Sequence, residues 1–218
     1  MTAIAMDTTK LWRRLTETDL VRMRIPRRYW WVRYEGIPDG TCVGSGVSAR
    51  KAAHNYLTQI DEMRHNGMGL LLWGTNGTGK TCMAIVVAKE YRRHGYPVLF
   101  IEAADIKRFV IEREMFDEDQ TFWDRAMNVD VLVIDDLGKG VQDSTGFGAR
   151  MIDELIRHRN ASKLVTLITT NMNQRDLAEE LKVSTMSSLK EHVFPIHVTG
   201  IDRRDAVASG IAKTLFDQ

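Results

Sequence analysis

The sequence predicts an α/β protein, a doubly wound parallel five-stranded sheet with helices on both faces and a short N-terminal helical extension. Three observations predict it. From Gly69 onward, strand-like apolar runs alternate with helix-like segments, the pattern that closes into a parallel sheet. The first run leads straight into Gly74-Thr75-Asn76-Gly77-Thr78-Gly79-Lys80-Thr81, which fits G-x-x-x-x-G-K-[ST] at every fixed position. A later run ends in adjacent carboxylates, Asp135 and Asp136, where a parallel sheet opens its ligand crevice.

Residues 1–47 have a texture of their own. Eight basic residues (Lys10, Arg13, Arg14, Arg22, Arg24, Arg27, Arg28 and Arg33) stand there against acidic Glu17 and Asp19 between positions 10 and 33. Trp12, Tyr29, Trp30, Trp31 and Tyr34 lie among or beside them. Glycines and a proline over 36–46 mark a loop, and Ser48 is the expected N-cap of a helix running to about residue 65. The division is therefore a basic-aromatic extension, 1–47, and a nucleotide-binding domain, 48–218.

Strands are expected at 69–73, 97–101, 131–135, 164–169 and 194–198, and Pro195 places the last at a sheet edge. Helices are expected at about 80–94, 103–115, 121–127 and 148–159, with a helical pair after Asn171.

Composition bounds the function. Hydrophobic residues make up 44% of the chain and charged ones 27%, ordinary values for a globular protein. A formal net charge of +1 gives no whole-molecule argument for nucleic acid or membrane, so any such surface is local. Cys42 and Cys82 are far apart, without C-x-x-C or a histidine cluster, which argues against zinc and disulfides and suits a reducing cytosol. No apolar run reaches the roughly 18 residues of a membrane span, so a cytoplasmic location is expected.

The phosphate loop has a reason at each position. Its glycines let the backbone wrap an anion, Lys80 supplies a point charge for β- and γ-phosphates, and the Thr81 hydroxyl is a Mg²⁺ ligand. Cys82 completes the expected nucleotide-contacting run, 74–82, as a small apolar side chain. Asp135 is expected to hold Mg²⁺, usually through water, opposite Thr81. Asp136 is the candidate to orient and polarise the attacking water, with less reach than the Glu many ATPases use there. Asn171, at the end of the fourth strand, reads either as a contact to that water or the γ-phosphate or as an ordinary turn residue. The implied ligand is a nucleoside triphosphate with Mg²⁺.

The phosphate loop, the Ile134-Asp135-Asp136-Leu137-Gly138 segment and the Thr169-Thr170-Asn171 strand end resemble the AAA+ ATPases. More narrowly they are similar to the branch of replicative-helicase loaders (DnaC type) and transposition helpers (IstB type). Ile25-Pro26-Arg27-Arg28-Tyr29 resembles that branch's lead-in, and Gly200-Ile201-Asp202-Arg203-Arg204 its closing Gly-x-Asp-x-Arg. The resemblance implies ATP as the nucleotide and Arg204 as a cis arginine near the phosphates, with Arg203 as the out-of-register competitor. It also implies a replicative helicase or a transposase as partner, single-stranded DNA contact, an ATP-dependent homo-oligomer or hetero-assembly, and a partner-contacting N-terminus. DNA contacts would come from ring-lining loops, with Lys107, Lys139 and Arg150 as loose candidates, while the acidic run Glu112, Glu114, Asp117, Glu118 and Asp119 would face solvent.

One departure matters. Where the family offers an arginine to the neighbouring subunit's ATP, this chain reads Ser187-Ser188-Leu189. Slow hydrolysis, or a nucleotide-dependent binding module, is the expectation.

Overall fold

Five apolar runs become strands β1 (Gly69–Trp73), β2 (Val98–Glu102), β3 (Val131–Asp135), β4 (Val165–Thr170) and β5 (Val193–His197). The computed structural model describes residues 14–37, 48–106, 117–138, 146–181, 183–200 and 202. The helices are α1 (Glu17–Arg22), α2 (Ala49–Leu57), α3 (Ile60–Asn66), α4 (Lys80–Arg93), α5 (Asp117–Asn128), α6 (Phe147–Ala161), α7 (Gln174–Glu180) and α8 (Val183–His192). A further helical turn covers 103–106, and the rest of the helix expected there lies outside the described residues.

All pairings are parallel, in the order β2-β3-β4-β1-β5. Both faces are covered, which is why the strands read as unbroken apolar runs. Alternate residues serve alternate cores. Leu70, Leu72, Phe100, Val131, Val133 and Leu167 meet α4 and α2, while Leu71, Leu99, Leu132, Ile134 and Ile168 meet α5 and α6. Pro195 sits on β5, which among the described residues pairs only with β1 and so forms an edge, as a missing backbone donor requires.

The helix expected from Ser48 to about residue 65 is divided. Ser48 does cap α2, accepting from the Lys51 amide at 3.2 Å, but the chain leaves helical geometry at Gln59 before α3 begins. The Thr58 hydroxyl and the Gln59 side-chain amide both donate to the Asn55 carbonyl, at 2.8 and 3.3 Å. These bonds satisfy an acceptor that the interrupted ladder leaves open.

The described part of the N-terminal extension, 14–37, packs into the core beside α4. Met23, Ile25, Val32 and Ile37 are at most 4% exposed. The Phe100 amide donates to the Met23 carbonyl at 2.8 Å, adding one backbone bond to the free edge of β2. Lys89 of α4 donates to the carbonyls of Tyr29, Trp30 and Val32 at 3.1, 3.0 and 2.8 Å, a three-point clamp on the segment.

Candidate functional site

The strand order brings the phosphate loop and the carboxylates together around β4. The loop leaves β1, the carboxylates end β3, and β4 lies between those strands. The crevice therefore opens at their carboxyl ends, where the chain order reverses.

The loop itself is built for close approach. Gly79 has φ 94 and stands at the N-cap of α4, whose first turn has no side-chain cap. The open amides and the positive end of this 14-residue helix aim at an anion in the loop. Gly77 has φ 71, and a Cβ there would fall 1.8 Å from Asp202 Oδ1, so the residue two past Gly200 lies directly on the loop. Thr75 and Asn76 are exposed, while Thr78 and Lys80 are buried. The Thr78 hydroxyl donates to the Thr75 carbonyl at 3.0 Å, and Lys80 Nζ donates to the carbonyls of Gly74 and Thr75 at 2.9 and 2.6 Å. Those carbonyls hold the ammonium at the loop, from which it can pass to phosphate oxygens. Cys82, the next residue but one on α4, is half-buried and packs against the core.

A chain of oxygens joins α4 to β3 and β4. The Thr81 hydroxyl donates to Asp135 Oδ1 at 2.8 Å, and the Thr169 hydroxyl donates to the same oxygen at 2.6 Å. The Asp136 amide donates back to the Thr169 hydroxyl at 2.9 Å, and Asn171 Nδ2 donates to Asp136 Oδ1 at 2.6 Å. Asp136 sits at φ 56, a left-handed conformation that Asp tolerates, and this turns its carboxylate into solvent at the crevice. The Leu137 amide bonds the Thr169 carbonyl at 2.8 Å and the Thr170 hydroxyl bonds the Leu137 carbonyl, which fixes the turn.

Charge and burial set the character of the carboxylates. Burial pushes the Asp135 carboxyl above its usual range, while the Thr169 and Thr81 hydrogen bonds pull it back. Asp136 raises it further and the Arg28 guanidinium lowers it. Thr81 and Asp135 are hard oxygen donors sharing one hydrogen bond, a pairing that suits Mg²⁺.

The structure brings together every described member of the expected set, Gly74 through Thr81 with Asp135, Asp136 and Asn171. Arg203, Arg204, Lys107, Lys139, Glu112 and Glu114 lie outside the described residues, and Arg150 is exposed in the first turn of α6. Ser188 is half-buried, and Asn160 of α6 donates to its hydroxyl at 2.6 Å, so its side chain faces α6.

Three further residues of the crevice stand in the sequence only as members of the resemblance motifs, with no role of their own assigned. The Thr169 hydroxyl donates to the Asp135 carboxylate and accepts from the Asp136 amide, a role that the strand order reveals. Burial raises the Tyr29 hydroxyl's pKa while nearby Thr81 tempers the rise, and Arg28 lies over the Tyr29 ring at 4.9 Å while meeting Glu102 at 3.4 Å. The lead-in motif named this pair, and its place beside Asp135 comes from the fold.

A sequence model of the IstB-like ATP binding protein family matches residues 47–189. The chain belongs to this family. The IstB-like core is also similar to the replicative helicase loader DnaC of Escherichia coli (strain K12), 28% identical over 151 residues, covering 68% of this chain and 59% of that protein. It is similar to the replicative helicase loader DnaI of Bacillus subtilis (strain 168), 28% identical over 153 residues, covering 63% of this chain and 48% of that protein. The IstB-like chain thus spans between about half and three fifths of these relatives' lengths. Among solved structures, the DnaC helicase loader superposes with a TM-score of 0.68 at 24% identity, over 80% of this chain and 100% of that one. A replication initiator DnaA bound to AMPPCP and single-stranded DNA superposes with a TM-score of 0.63 at 15% identity, over 86% of this chain and 56% of that one. At these identities the likeness is one of fold, that of the AAA+ P-loop domain.

Proposed function

We propose that this IstB-like protein loads or remodels a replicative DNA helicase on single-stranded DNA, using ATP binding and slow hydrolysis as a switch. The observation that carries the reading is the complete crevice: phosphate loop, Asp135, Asp136 and Asn171 joined through Thr169. The similarity to DnaC and DnaI, both described as replicative helicase loaders, supports the choice of partner.

In this reading the loop amides and Lys80 hold the phosphates, Asp136 takes the proton of the attacking water, and Asn171 keeps the Asp136 carboxylate aimed. Thr81 and Asp135 would hold Mg²⁺, which when bound supplies charge neutralisation at the β- and γ-phosphates. Hydrolysis is slow because α8 carries no arginine and Ser188 is turned onto Asn160. The exposed face of 14–37, with Arg22, Arg24, Arg27 and Trp31, is the proposed partner contact. Arg204 is retained as a proposed cis arginine, and ATP-dependent self-assembly as the proposed working state.

Membership of the IstB-like family leaves a second reading, an ATPase that binds DNA and assists a transposase. Mixing the protein with the host's replicative helicase and ATP, then weighing species by size-exclusion light scattering, separates the two. A stable co-complex that is lost in Lys80→Ala, together with lost ATP binding in that variant, is the expected result. Self-assembly on duplex DNA without helicase association would move the assignment to the transposase helper. Unchanged ATP affinity in Lys80→Ala would remove the phosphate-loop assignment itself.

A further inference from the structure

The crevice holds more negative than positive charge on the β2–β3 side. Glu102 ends β2 and stands in register with Asp135 at the end of β3, with Asp136 immediately beyond. Bound ATP would bring several more negative charges to the same place. Among the described residues, α8 has no arginine to answer them, and Lys80 belongs to the loop on the other side of β4.

Arg28 is already there. Its Nη2 meets Glu102 Oε1 at 3.4 Å, and its charge acts on both Asp135 and Tyr29. The backbone below it is fixed. Lys89 clamps the carbonyls of Tyr29, Trp30 and Val32, Trp30 Nε1 donates to the Ile25 carbonyl at 2.8 Å, and the Met23 carbonyl is tied to β2. The guanidinium above that base is not fixed. Its side chain is 65% exposed and its pair with Glu102 is long, the kind of surface pair that contributes little and is easily exchanged. A phosphoryl group carries more charge and accepts two parallel N–H bonds, so it outcompetes one exposed carboxylate.

We propose that Arg28, supplied in cis from the lead-in segment and additional to Arg204, meets the γ-phosphate of bound ATP. The proposal rests on the ATPase reading above. In the reaction, the water oxygen bonds the γ-phosphorus and the bond from that phosphorus to the bridging oxygen breaks. ADP keeps the electron pair, the water's proton passes to Asp136, and the guanidinium offsets the charge gathering on the γ-phosphoryl oxygens. Tyr29, half-buried under the Arg28 guanidinium with its carbonyl held by Lys89, keeps the lead-in seated against the same crevice. One segment would then carry both a catalytic arginine and the exposed surface proposed to meet the partner, so that partner binding and turnover are coupled through a few residues.

The test compares ATP and ADP affinities, by fluorescent-nucleotide competition, with turnover in the full-length wild type, Arg28→Ala and Arg28→Lys. A γ-phosphate contact predicts that Arg28→Ala leaves ADP affinity unchanged, lowers the preference for ATP about tenfold, and lowers turnover by about tenfold or more. Arg28→Lys should recover only part of either, because an ammonium lacks the planar fork. Wild-type turnover per chain should be the same across a hundredfold dilution. Wild-type ATP preference in Arg28→Ala overturns the proposal and leaves the ATPase reading standing. Turnover that rises with chain concentration and is untouched by Arg28→Ala also overturns it, by pointing to a neighbouring chain. A wild type that binds no ATP sinks the ATPase reading, and the proposal with it.

Discussion

Thr169 shows what one hydroxyl does at this crevice. It donates to Asp135, accepts from the Asp136 amide, and is 1% exposed, so neither partner has water as a substitute. Replacing it with the isosteric valine leaves a buried carboxylate oxygen and a backbone amide short of a partner. Leaving the amide unsatisfied costs about 1–3 kcal/mol, and the carboxylate oxygen, which keeps its bond from Thr81, loses one of its two bonds. Thr169→Val should therefore lose about 2–4 kcal/mol in denaturant unfolding and bind Mg²⁺-dependent nucleotide more weakly, with the overall fold kept. A midpoint within error of wild type would mean that the hydroxyl is replaceable. The same residue marks a limit of reading the sequence. The phosphate loop, Asp135 and Asp136 are legible because their chemistry demands particular residue types at fixed places. Thr169 stands in the Thr169-Thr170-Asn171 strand end with no chemistry of its own legible there, and its role exists only once β4 is known to lie between β1 and β3.

Elements were legible in proportion to how local their causes are. Strand positions follow from apolar runs that both cores demand, and they shift by at most about a residue at their ends. The break between α2 and α3 was not legible, because Tyr56, Ile60 and Met63 keep helical spacing across it and are all buried. Arg159 is a sharper case. At the sequence level it is a basic residue closing a surface-type helix, yet it is fully buried. Its guanidinium donates to the carbonyls of Ala126 and Val129 at 2.8 and 2.9 Å, and to Val165 and the Thr166 hydroxyl at 2.7 and 3.0 Å. Three elements thus share one cation. The last carbonyls of α5 have no partner within their own helix, and a positive charge there complements the negative end of the helix. Arg159→Leu keeps the apolar stem and strands those carbonyls, so it should cost about 3 kcal/mol or more by denaturant titration. A loss under 1 kcal/mol would show that α5 can find other partners.

At the scale of the molecule, the question is whether the basic-aromatic segment is an appendage or part of the domain. Its net charge would suit either. Packing decides, because side chains face opposite ways along it: Arg22, Arg24, Arg27, Arg28 and Trp31 outward, Met23, Ile25 and Val32 inward. Four inward side chains, counting Ile37, each contribute roughly 1.5–3 kcal/mol when fully buried. Their sum, on the order of 6–12 kcal/mol, is comparable to the whole stability of a domain, about 5–15 kcal/mol. Taking the segment away would also leave the Lys89 ammonium on α4's flank without its three carbonyl acceptors and reopen the β2 edge at Phe100. A chain beginning at residue 38 should therefore show no cooperative thermal melt and bind no ATP, even though it keeps every residue of the phosphate loop, Asp135, Asp136 and Asn171. A cooperative melt within a few degrees of the full-length protein would show instead that the segment is a detachable arm. In that case the coupling proposed between partner contact and Arg28 would lose its physical path.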